Sequence, residues 1–224
     1  VEEDEADARV GEVRFEALGD SLVAFREAAA PSTRLVLPAR PVILVTGGAR
    51  GITATCGLAL ARTAPSQFVL VGRSPLPLAS DEPPETAGLD RPEALRKALV
   101  STGRYETLKS VEVEVRRILG AREIRGAIES LRALGSTVEY HALDVRDVVA
   151  LGALVRGVKS RLGRVDLVVH GAGVLEDKRL SEKTPESFRR VFDTKVNSAQ
   201  ALVDAAPDAA FVFFSSIAGA FGNA

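Results

Sequence analysis

The sequence predicts an α/β fold built on a doubly wound parallel sheet, and three observations support this prediction. The run "VILVT" at 42–46 is an unbroken apolar and β-branched segment, as expected for a strand buried on both faces. The segment "GITATCGLALAR" that follows has apolar residues at helical spacing. From Pro41 onward such strand and helix patterns alternate, which is typical of a parallel sheet covered by helices.

The later elements continue this alternation in order. Strands are predicted at 68–72, 137–143, 165–171 and 209–216. Helices are predicted between them, at 121–135, 148–163 and 185–206. A chain of 224 residues can bury one sizeable core, so we expect one main domain with an appendage.

Two stretches lie outside this alternation. Residues 1–40 start with the acidic run "VEEDEADA" and continue with a strand–helix–strand pattern in "GEVRFEAL", "SLVAFREAA" and "TRLVLP". We interpret 1–40 as the remnant of a preceding subdomain or a linker. Residues 74–120 start with a Pro-rich segment and continue with the helical patterns "EALRKALVSTG" and "SVEVEVRRILG". A mainly helical insertion after the second strand of the sheet is therefore predicted.

Composition narrows the class of protein. The hydrophobic fraction of 46% and the charged fraction of 26% are ordinary for a soluble globular protein, and the formal net charge of -1 gives no basic surface for nucleic acid or anionic membrane. No apolar run reaches the roughly 18 residues of a membrane span. The single cysteine, Cys56, fits a reducing, cytoplasmic setting, and no metal-ligand spacing is found. The absence of methionine suggests a piece excised from a longer chain.

A glycine-rich turn, "TGGARGIT" at 46–53, joins the strand at 42–46 to the next helix. Glycines let the backbone approach a pyrophosphate, which the free N–H groups at a helix start attract. The candidate binding residues are Thr46, Gly47, Gly48, Arg50, Gly51 and Ile52. The spacing is Gly-x-x-x-Gly-x-Thr, with Thr53 where a third glycine is usual. A plain strand–helix turn is the alternative interpretation.

The end of the next strand bears on the choice of cofactor. The segment "FVLVGRS" ends in Gly72, Arg73 and Ser74, and no carboxylate stands there. A carboxylate at this place would bind a ribose 2′-hydroxyl, whereas an arginine accommodates a 2′-phosphate. NADPH is therefore favoured over NADH, with Arg50 as a second candidate for the same phosphate. A solvated arginine at a strand end is the alternative.

Together with "LDVRD" (143–147), "HGAG" (170–173), "DTKV" (193–196) and "FFSSIAG" (213–219), these motifs resemble the short-chain dehydrogenase/reductases. The closer resemblance is to the ketoreductase domains of modular polyketide synthases and polyunsaturated fatty acid synthases, over residues 41–224. It implies a Rossmann-like sheet of the short-chain dehydrogenase/reductase type. It also implies that 41–224 form an NADP-binding domain that is incomplete at its C-terminus.

The resemblance also implies roles for individual residues. Asp144 and Val145 match positions that hold the adenine ring, and His170, Gly171, Ala172 and Gly173 match the turn along the middle of the cofactor. Ser215 is assigned to the cofactor as well. Ser216 matches the serine that binds the substrate carbonyl, and Lys195 stands where ketoreductase domains carry their catalytic lysine. The family's tyrosine would follow a few residues beyond Ala224.

The chemistry explains these residue types. Reducing a ketone requires hydride transfer to carbon and proton transfer to oxygen. A tyrosine of pKa ~10 is a reluctant proton donor, and a neighbouring ammonium lowers its pKa toward the operating pH. The serine hydroxyl stabilises the negative charge that develops on oxygen.

The leading hypothesis is NADPH-dependent reduction of a 3-oxoacyl thioester on an acyl carrier protein, within a multidomain synthase. The expected partners are that carrier and the other synthase domains, without nucleic acid, membrane or metal. One alternative is a catalytically silent structural or docking module, and another is a stand-alone short-chain reductase. NADPH binding, and its loss in Arg73→Ala or Lys195→Ala, separates the reductase site from a scaffold.

Overall fold

The computed structural model describes residues 12–18, 22–28, 35–76 and 78–216, and the chain divides into two compact units, Val1–Val36 and Leu37–Ala224. In the first unit, strands β1 (Glu12–Leu18) and β2 (Leu22–Ala28) pair antiparallel, with Phe15 opposite Phe25. The predicted helix in "SLVAFREAA" is therefore wrong. Strand pairing along seven residues overrides a helical pattern too short to be stable alone. The predicted strand in "TRLVLP" is also wrong where it is described, since 35–38 are irregular.

The second unit is built on a parallel sheet of five strands in the order β5-β4-β3-β6-β7. Their bounds are β3 Val42–Thr46, β4 Gln67–Gly72, β5 Thr137–Ala142, β6 Leu167–His170 and β7 Ala210–Phe213. The chain runs outward from β3 to β5 and then crosses back to β6 and β7. The predicted doubly wound sheet is confirmed, and the order reverses between β3 and β6, where open α/β sheets bind ligands.

Helices cover both faces of this sheet. They are α1 (Gly51–Thr63) and α3 (Leu108–Ala133) on one face, with α4 (Val148–Leu162) and α6 (Ser198–Ala205) on the other. Alternate residues of β3 therefore enter different cores. Val42 and Leu44 pack with α4 and α6, while Ile43 and Val45 pack with α1 and α3. This two-sided burial explains why β3 reads as an unbroken apolar run.

The insertion after β4 is mainly helical, as predicted. Short 3₁₀ turns at 79–81 and 84–86 precede α2 (Pro92–Ser101), which packs on the first half of α3 around Leu95, Leu99 and Val111. The sequence predicts two separate helices at 110–120 and 121–135. They form one helix of 26 residues, because Thr107 and Ser110 cap its start and the first glycine with a positive φ after that is Gly135.

The predicted long helix at 185–206 is interrupted. It consists of α5 (Pro185–Phe192), a π-helical turn (Asp193–Asn197) and α6. Such turns are rare in proteins, and those that do occur are frequently found at functional sites. This one carries Lys195, one of the two predicted catalytic residues.

Candidate functional site

A cleft of about 680 Å³ lies at the carboxyl ends of the strands. The loops after β3, β4, β5 and β6 each contribute to its wall, through Gly47, Arg73, Val145 and Ala172 among others. The predicted site residues that line it are Gly47, Arg50, Gly51, Gly72, Arg73, Ser74, Val145, Gly171, Ala172 and Gly173. The fold therefore brings most of the predicted dinucleotide residues to one cleft.

Two positions in the turn after β3 require glycine, because a side chain there would be strained or would overlap neighbouring atoms. Gly47 has φ +69°, and a Cβ on it would lie 3.0 Å from the amide nitrogen of Ala172. A Cβ on Gly48 would lie 2.5 Å from Cγ1 of Val45. Both glycines keep the backbone close to its neighbours and leave the mouth of the turn without side chains. That open cradle suits a phosphate group.

Thr53, which replaces the third glycine, packs against Gly171 in the loop after β6. A Cβ on Gly171 would lie 2.3 Å from Oγ1 of Thr53 and 2.6 Å from its Cγ2. The side chain missing at Gly171 therefore gives the room that Thr53 needs. The departure from the usual glycine spacing is accommodated inside the fold, between α1 and a loop far from it in sequence.

Glu123 is a site residue that sequence reasoning missed. It lines the cleft from α3, and its Oε1 accepts a 2.6 Å hydrogen bond from the backbone N–H of Gly51, the first residue of α1. Its Oε2 accepts a 3.0 Å hydrogen bond from Nε of Arg50. Burial raises the pKa of Glu123, but the Gly51 amide and Arg50 outweigh it and the net direction is downward. No motif marks Glu123, since glutamate is common on exposed helix faces.

The end of β4 presents Arg73 and Ser74 to the cleft, with Arg73 exposed. Tyr140 on β5 crosses Gly72 and donates a 2.7 Å hydrogen bond from its hydroxyl to the carbonyl of Ser74. Burial raises the pKa of Tyr140, so this phenol is neutral at ordinary pH. Tyr140 thus fixes the segment that carries Arg73. The sequence shows Tyr140 only as one residue of a strand.

The loop after β5 holds the two residues assigned to the adenine ring. Val145 is buried and lines the cleft. The carboxylate of Asp144 accepts hydrogen bonds from Arg146, including one of 2.6 Å from Nη2. Arg146, and more weakly the charge of Arg73, lower the pKa of Asp144. Asp144 is therefore ionised and anchored to its own loop.

His170 is buried at the end of β6 and ties three elements together. Its Nδ1 lies 2.6 Å from Oγ1 of Thr46, and its Nε2 lies 3.0 Å from Oγ of Ser198 and 3.2 Å from the carbonyl oxygen of Lys195. Ser198 donates its own proton to the carbonyl of Thr194, so its oxygen accepts from Nε2–H. Burial, and then the charge of Lys195, lower the pKa of His170. A neutral His170 therefore holds the π-helical turn against β3.

The ammonium of Lys195 points toward the end of β7. Its Nζ donates a 2.9 Å hydrogen bond to the carbonyl of Phe214, two residues before Ser216. A Cβ on Gly173 would lie 3.1 Å from Cε of Lys195, so glycine there leaves room for the lysine. Burial lowers the pKa of Lys195. The fold thus brings Lys195 next to the segment that carries Ser215 and Ser216, both of which are exposed.

Two further predicted residues, Thr46 and Ile52, are not among those that line the cleft. Thr46 is buried and accepts a 3.3 Å hydrogen bond from the amide of Ala172, while Ile52 is exposed at the start of α1.

Among the described residues, no group of three or more His, Cys, Asp or Glu side chains could hold a metal ion. Within the same part of the chain, no helix is both long and apolar enough to cross a membrane.

Comparison with known proteins gives one consistent result. The KR domain family model matches residues 41–224. One of the subunits of the polyunsaturated fatty acid synthase of Thraustochytrium sp. (strain ATCC 26185 / S-3) is 35% identical over 81% of the chain, which covers 7% of that protein. Erythronolide synthase EryA3 of Saccharopolyspora erythraea is 32% identical over 97% of the chain, which covers 6% of that protein. The chain thus spans only a small part of these curated relatives.

Solved structures agree with this result. A ketoreductase domain from the bacillaene assembly line matches with a TM-score of 0.62 and 28% identity, over 95% of this chain and 41% of that one. A metagenomic short-chain oxidoreductase in complex with NADP shares the fold, with a TM-score of 0.51 and 20% identity, over 75% of this chain and 55% of that one.

Proposed function

The chain belongs to the ketoreductase (KR) domain family, within the short-chain dehydrogenase/reductases, and from that premise we propose that it uses NADPH to reduce a 3-oxoacyl thioester to the 3-hydroxyacyl thioester. The substrate would be carried by an acyl carrier protein. The relatives that support this proposal are a polyunsaturated fatty acid synthase and a polyketide synthase, each far longer than this chain. The other domains of such a synthase are proposed as partners.

One observation carries the proposal. A single cleft joins the glycine turn after β3, with Arg73 beside it, to Gly173, which packs directly against Lys195. A dinucleotide lying along this cleft would have its phosphates at the turn and its nicotinamide end near the lysine. The cradle at Gly47 and Gly48, which side chains would fill, fits the pyrophosphate of such a cofactor.

Arg73 supports NADPH rather than NADH. It is exposed and lies in the cleft wall at the end of β4, and Ser74 beside it offers a hydroxyl. A guanidinium binds a phosphate through paired, charge-assisted hydrogen bonds. The nearby carboxylate of Asp144 is engaged by Arg146, which leaves the guanidinium of Arg73 available to a 2′-phosphate.

When bound, the nicotinamide supplies the hydride. The side chains of this chain would position the substrate and stabilise the charge that develops on its oxygen. Lys195 donates to the Phe214 carbonyl, which keeps its ammonium directed at the segment that carries Ser216. A positive charge there would lower the pKa of the hydroxyl that donates the proton. That hydroxyl would then transfer its proton to the substrate oxygen more easily. Ser216 would donate a hydrogen bond to that oxygen as negative charge develops.

A catalytically silent structural or docking module is the second candidate, because the carboxylate of Glu123 lies on the Gly51 amide, where a cofactor phosphate is expected. In that case NADPH would bind weakly or not at all, and no turnover would follow. The stand-alone reductase remains the third candidate, with a free rather than a carrier-bound acyl thioester as substrate.

The test uses the natural polypeptide that contains this chain. NADPH binding is followed by its fluorescence, and NADPH consumption is followed by its absorbance, with a 3-oxoacyl thioester supplied free or on an acyl carrier protein. We expect consumption that depends on the thioester and is faster with the carrier-bound form. Lys195→Ala should lose this consumption, whereas Lys97→Ala on the exposed face of α2 should keep it. Little or no NADPH binding, together with no consumption, would favour the silent module, and NADPH binding without consumption would contradict the proposed reduction. Equal rates with and without the carrier would favour the stand-alone reductase.

A further inference from the structure

The start of α1 already has an anion bound to it, and that anion belongs to the chain itself. The carboxylate of Glu123 accepts the Gly51 N–H at 2.6 Å and the Arg50 Nε–H at 3.0 Å. Gly120, one turn earlier on α3, makes this arrangement possible, since a Cβ there would lie 3.1 Å from Cζ of Arg50. Helix α3 is thereby joined to the phosphate turn by a bidentate carboxylate.

A helix start favours an anion because its first N–H groups have no partner inside the helix and carry a partial positive charge. In a dinucleotide site that anion is the pyrophosphate. The Gly51 N–H cannot make a strong hydrogen bond to a carboxylate and to a phosphate at the same time. The Nε–H of Arg50 is also directed at Glu123, so it cannot at the same time make a strong hydrogen bond to a phosphate.

We propose that Glu123 is a built-in competitor of the cofactor: its carboxylate occupies the phosphate position at the start of α1 and must leave before a dinucleotide phosphate binds there. This inference rests on the proposed function, because it concerns the affinity of the same cleft. Glu123 therefore lowers the affinity for the cofactor, and its displacement releases Arg50 toward the phosphate. Because α3 also packs against α2, Glu123 provides a contact between the helical insertion and the proposed cofactor cleft.

The exposure of the pair makes this exchange feasible. The side chain of Glu123 is 43% exposed and that of Arg50 is 55% exposed. Ion pairs this exposed are weak, because water screens them. Glutamate has three rotatable side-chain bonds, so the carboxylate can turn into solvent while α3 stays in place. A phosphate, with more charge and more acceptor oxygens, would then take over both donors.

The test compares Glu123→Gln with Glu129→Gln in the full natural polypeptide. Glutamine keeps an oxygen that can accept from Gly51 but removes the charge, while Glu129 is an exposed residue six positions further along the same helix. Dissociation constants for NADPH and NADH are measured by fluorescence titration. Glu123→Gln should tighten both by about fivefold or more, because the pyrophosphate is common to both cofactors. Glu129→Gln should leave both within about twofold of wild type.

Glu123→Ala serves as the second variant, because it removes the carboxylate and every hydrogen bond to Gly51. It should bind NADPH at least as tightly as Glu123→Gln. Without cofactor it should melt at a lower temperature than wild type, since the Gly51 amide loses its partner. A lower melting temperature together with tighter binding is the expected signature of a competitor.

Unchanged or weaker NADPH binding in Glu123→Gln would overturn the inference. Weaker binding would mean that Glu123 orients Arg50 for the phosphate. If wild type binds and turns over NADPH but Glu123→Gln binds no better, this inference alone fails. If wild type and both Glu123 variants fold and none binds NADPH, the proposed function fails with it.

Discussion

The contact between Thr53 and Gly171 gives a prediction whose size follows from distances. In Gly171→Ala the new Cβ would lie 2.3 Å from Oγ1, 2.6 Å from Cγ2 and 3.0 Å from Cβ of Thr53. Rotation about χ1 of Thr53 does not relieve this overlap. Two of the three substituent positions on its Cβ face Gly171, and threonine has two heavy substituents, so every staggered rotamer leaves at least one in place.

The overlap must therefore be relieved by movement of the loop after β6 or of α1. Thr53 is 6% exposed, so both lie in a packed environment. Inserting one carbon into such a site costs about 1–3 kcal/mol of unfolding free energy. In a Thr53→Ala background, only Cβ of these three atoms remains, 3.0 Å from the new Cβ of residue 171. A shift of a few tenths of an ångström relieves this contact. The cost of Gly171→Ala should then fall below about 1 kcal/mol.

Urea unfolding of wild type, both single variants and the double variant measures the coupling between the two sites. We expect the double variant to be more stable than the sum of the single effects by about 1 kcal/mol or more. Gly157→Ala on α4 is the control, because nothing lies within 4 Å of its added Cβ. It should stabilise the helix by about 0.5–1 kcal/mol. Additive effects of Gly171→Ala and Thr53→Ala, within about 0.5 kcal/mol, would refute the steric explanation.

Three further predictions concern the cleft. Arg73→Ala should weaken NADPH binding by about 1.5–3 kcal/mol and leave NADH binding nearly unchanged in parallel fluorescence titrations, and equal losses would mean that Arg73 is structural. Lys195→Ala should lower kcat about 100-fold or more in the NADPH consumption assay, and a kcat near wild type would remove Lys195 from the mechanism. The lowered pKa of His170, caused mainly by burial, means that the unfolded chain takes up its proton more readily than the folded chain. The free energy of unfolding from urea titrations should therefore fall as pH drops below about 6.5, and fall less in His170→Asn; equal slopes for both proteins would contradict this.

The sequence predicted the central elements of the sheet closely because their signals are local. The apolar run at 42–46 has the same bounds as β3, and the predicted strand at 68–72 differs from β4 by one residue. Alternation of strands and helices with short connections leaves few possible topologies, so the parallel sheet followed as well. The glycine-rich turn at 46–53 and Arg73 were predicted as candidate site residues for the same reason, since both directly follow a strand.

The errors and omissions arose where a residue outside the segment decides its structure. The π-helical turn at 193–197 lies in a segment with ordinary helical spacing, and its backbone is held by His170, which comes 25 residues before Lys195. The helix predicted at 21–29 became strand β2, because its backbone pairs with β1. Neither outcome has a local signal, because the hydrogen-bond partner in each case lies outside the segment.

The sequence by itself determined the alternation of strands and helices from Pro41 onward, the two-sided burial of β3 and the residues that end β3 and β4. Only the tertiary structure decided that Glu123 lies on the amide of Gly51, 72 positions earlier, and that Gly171 makes room for Thr53. The physical reason is range. Periodicity and backbone preferences act over a few residues, whereas hydrogen bonds and steric contacts depend on distances that exist only after the chain has folded.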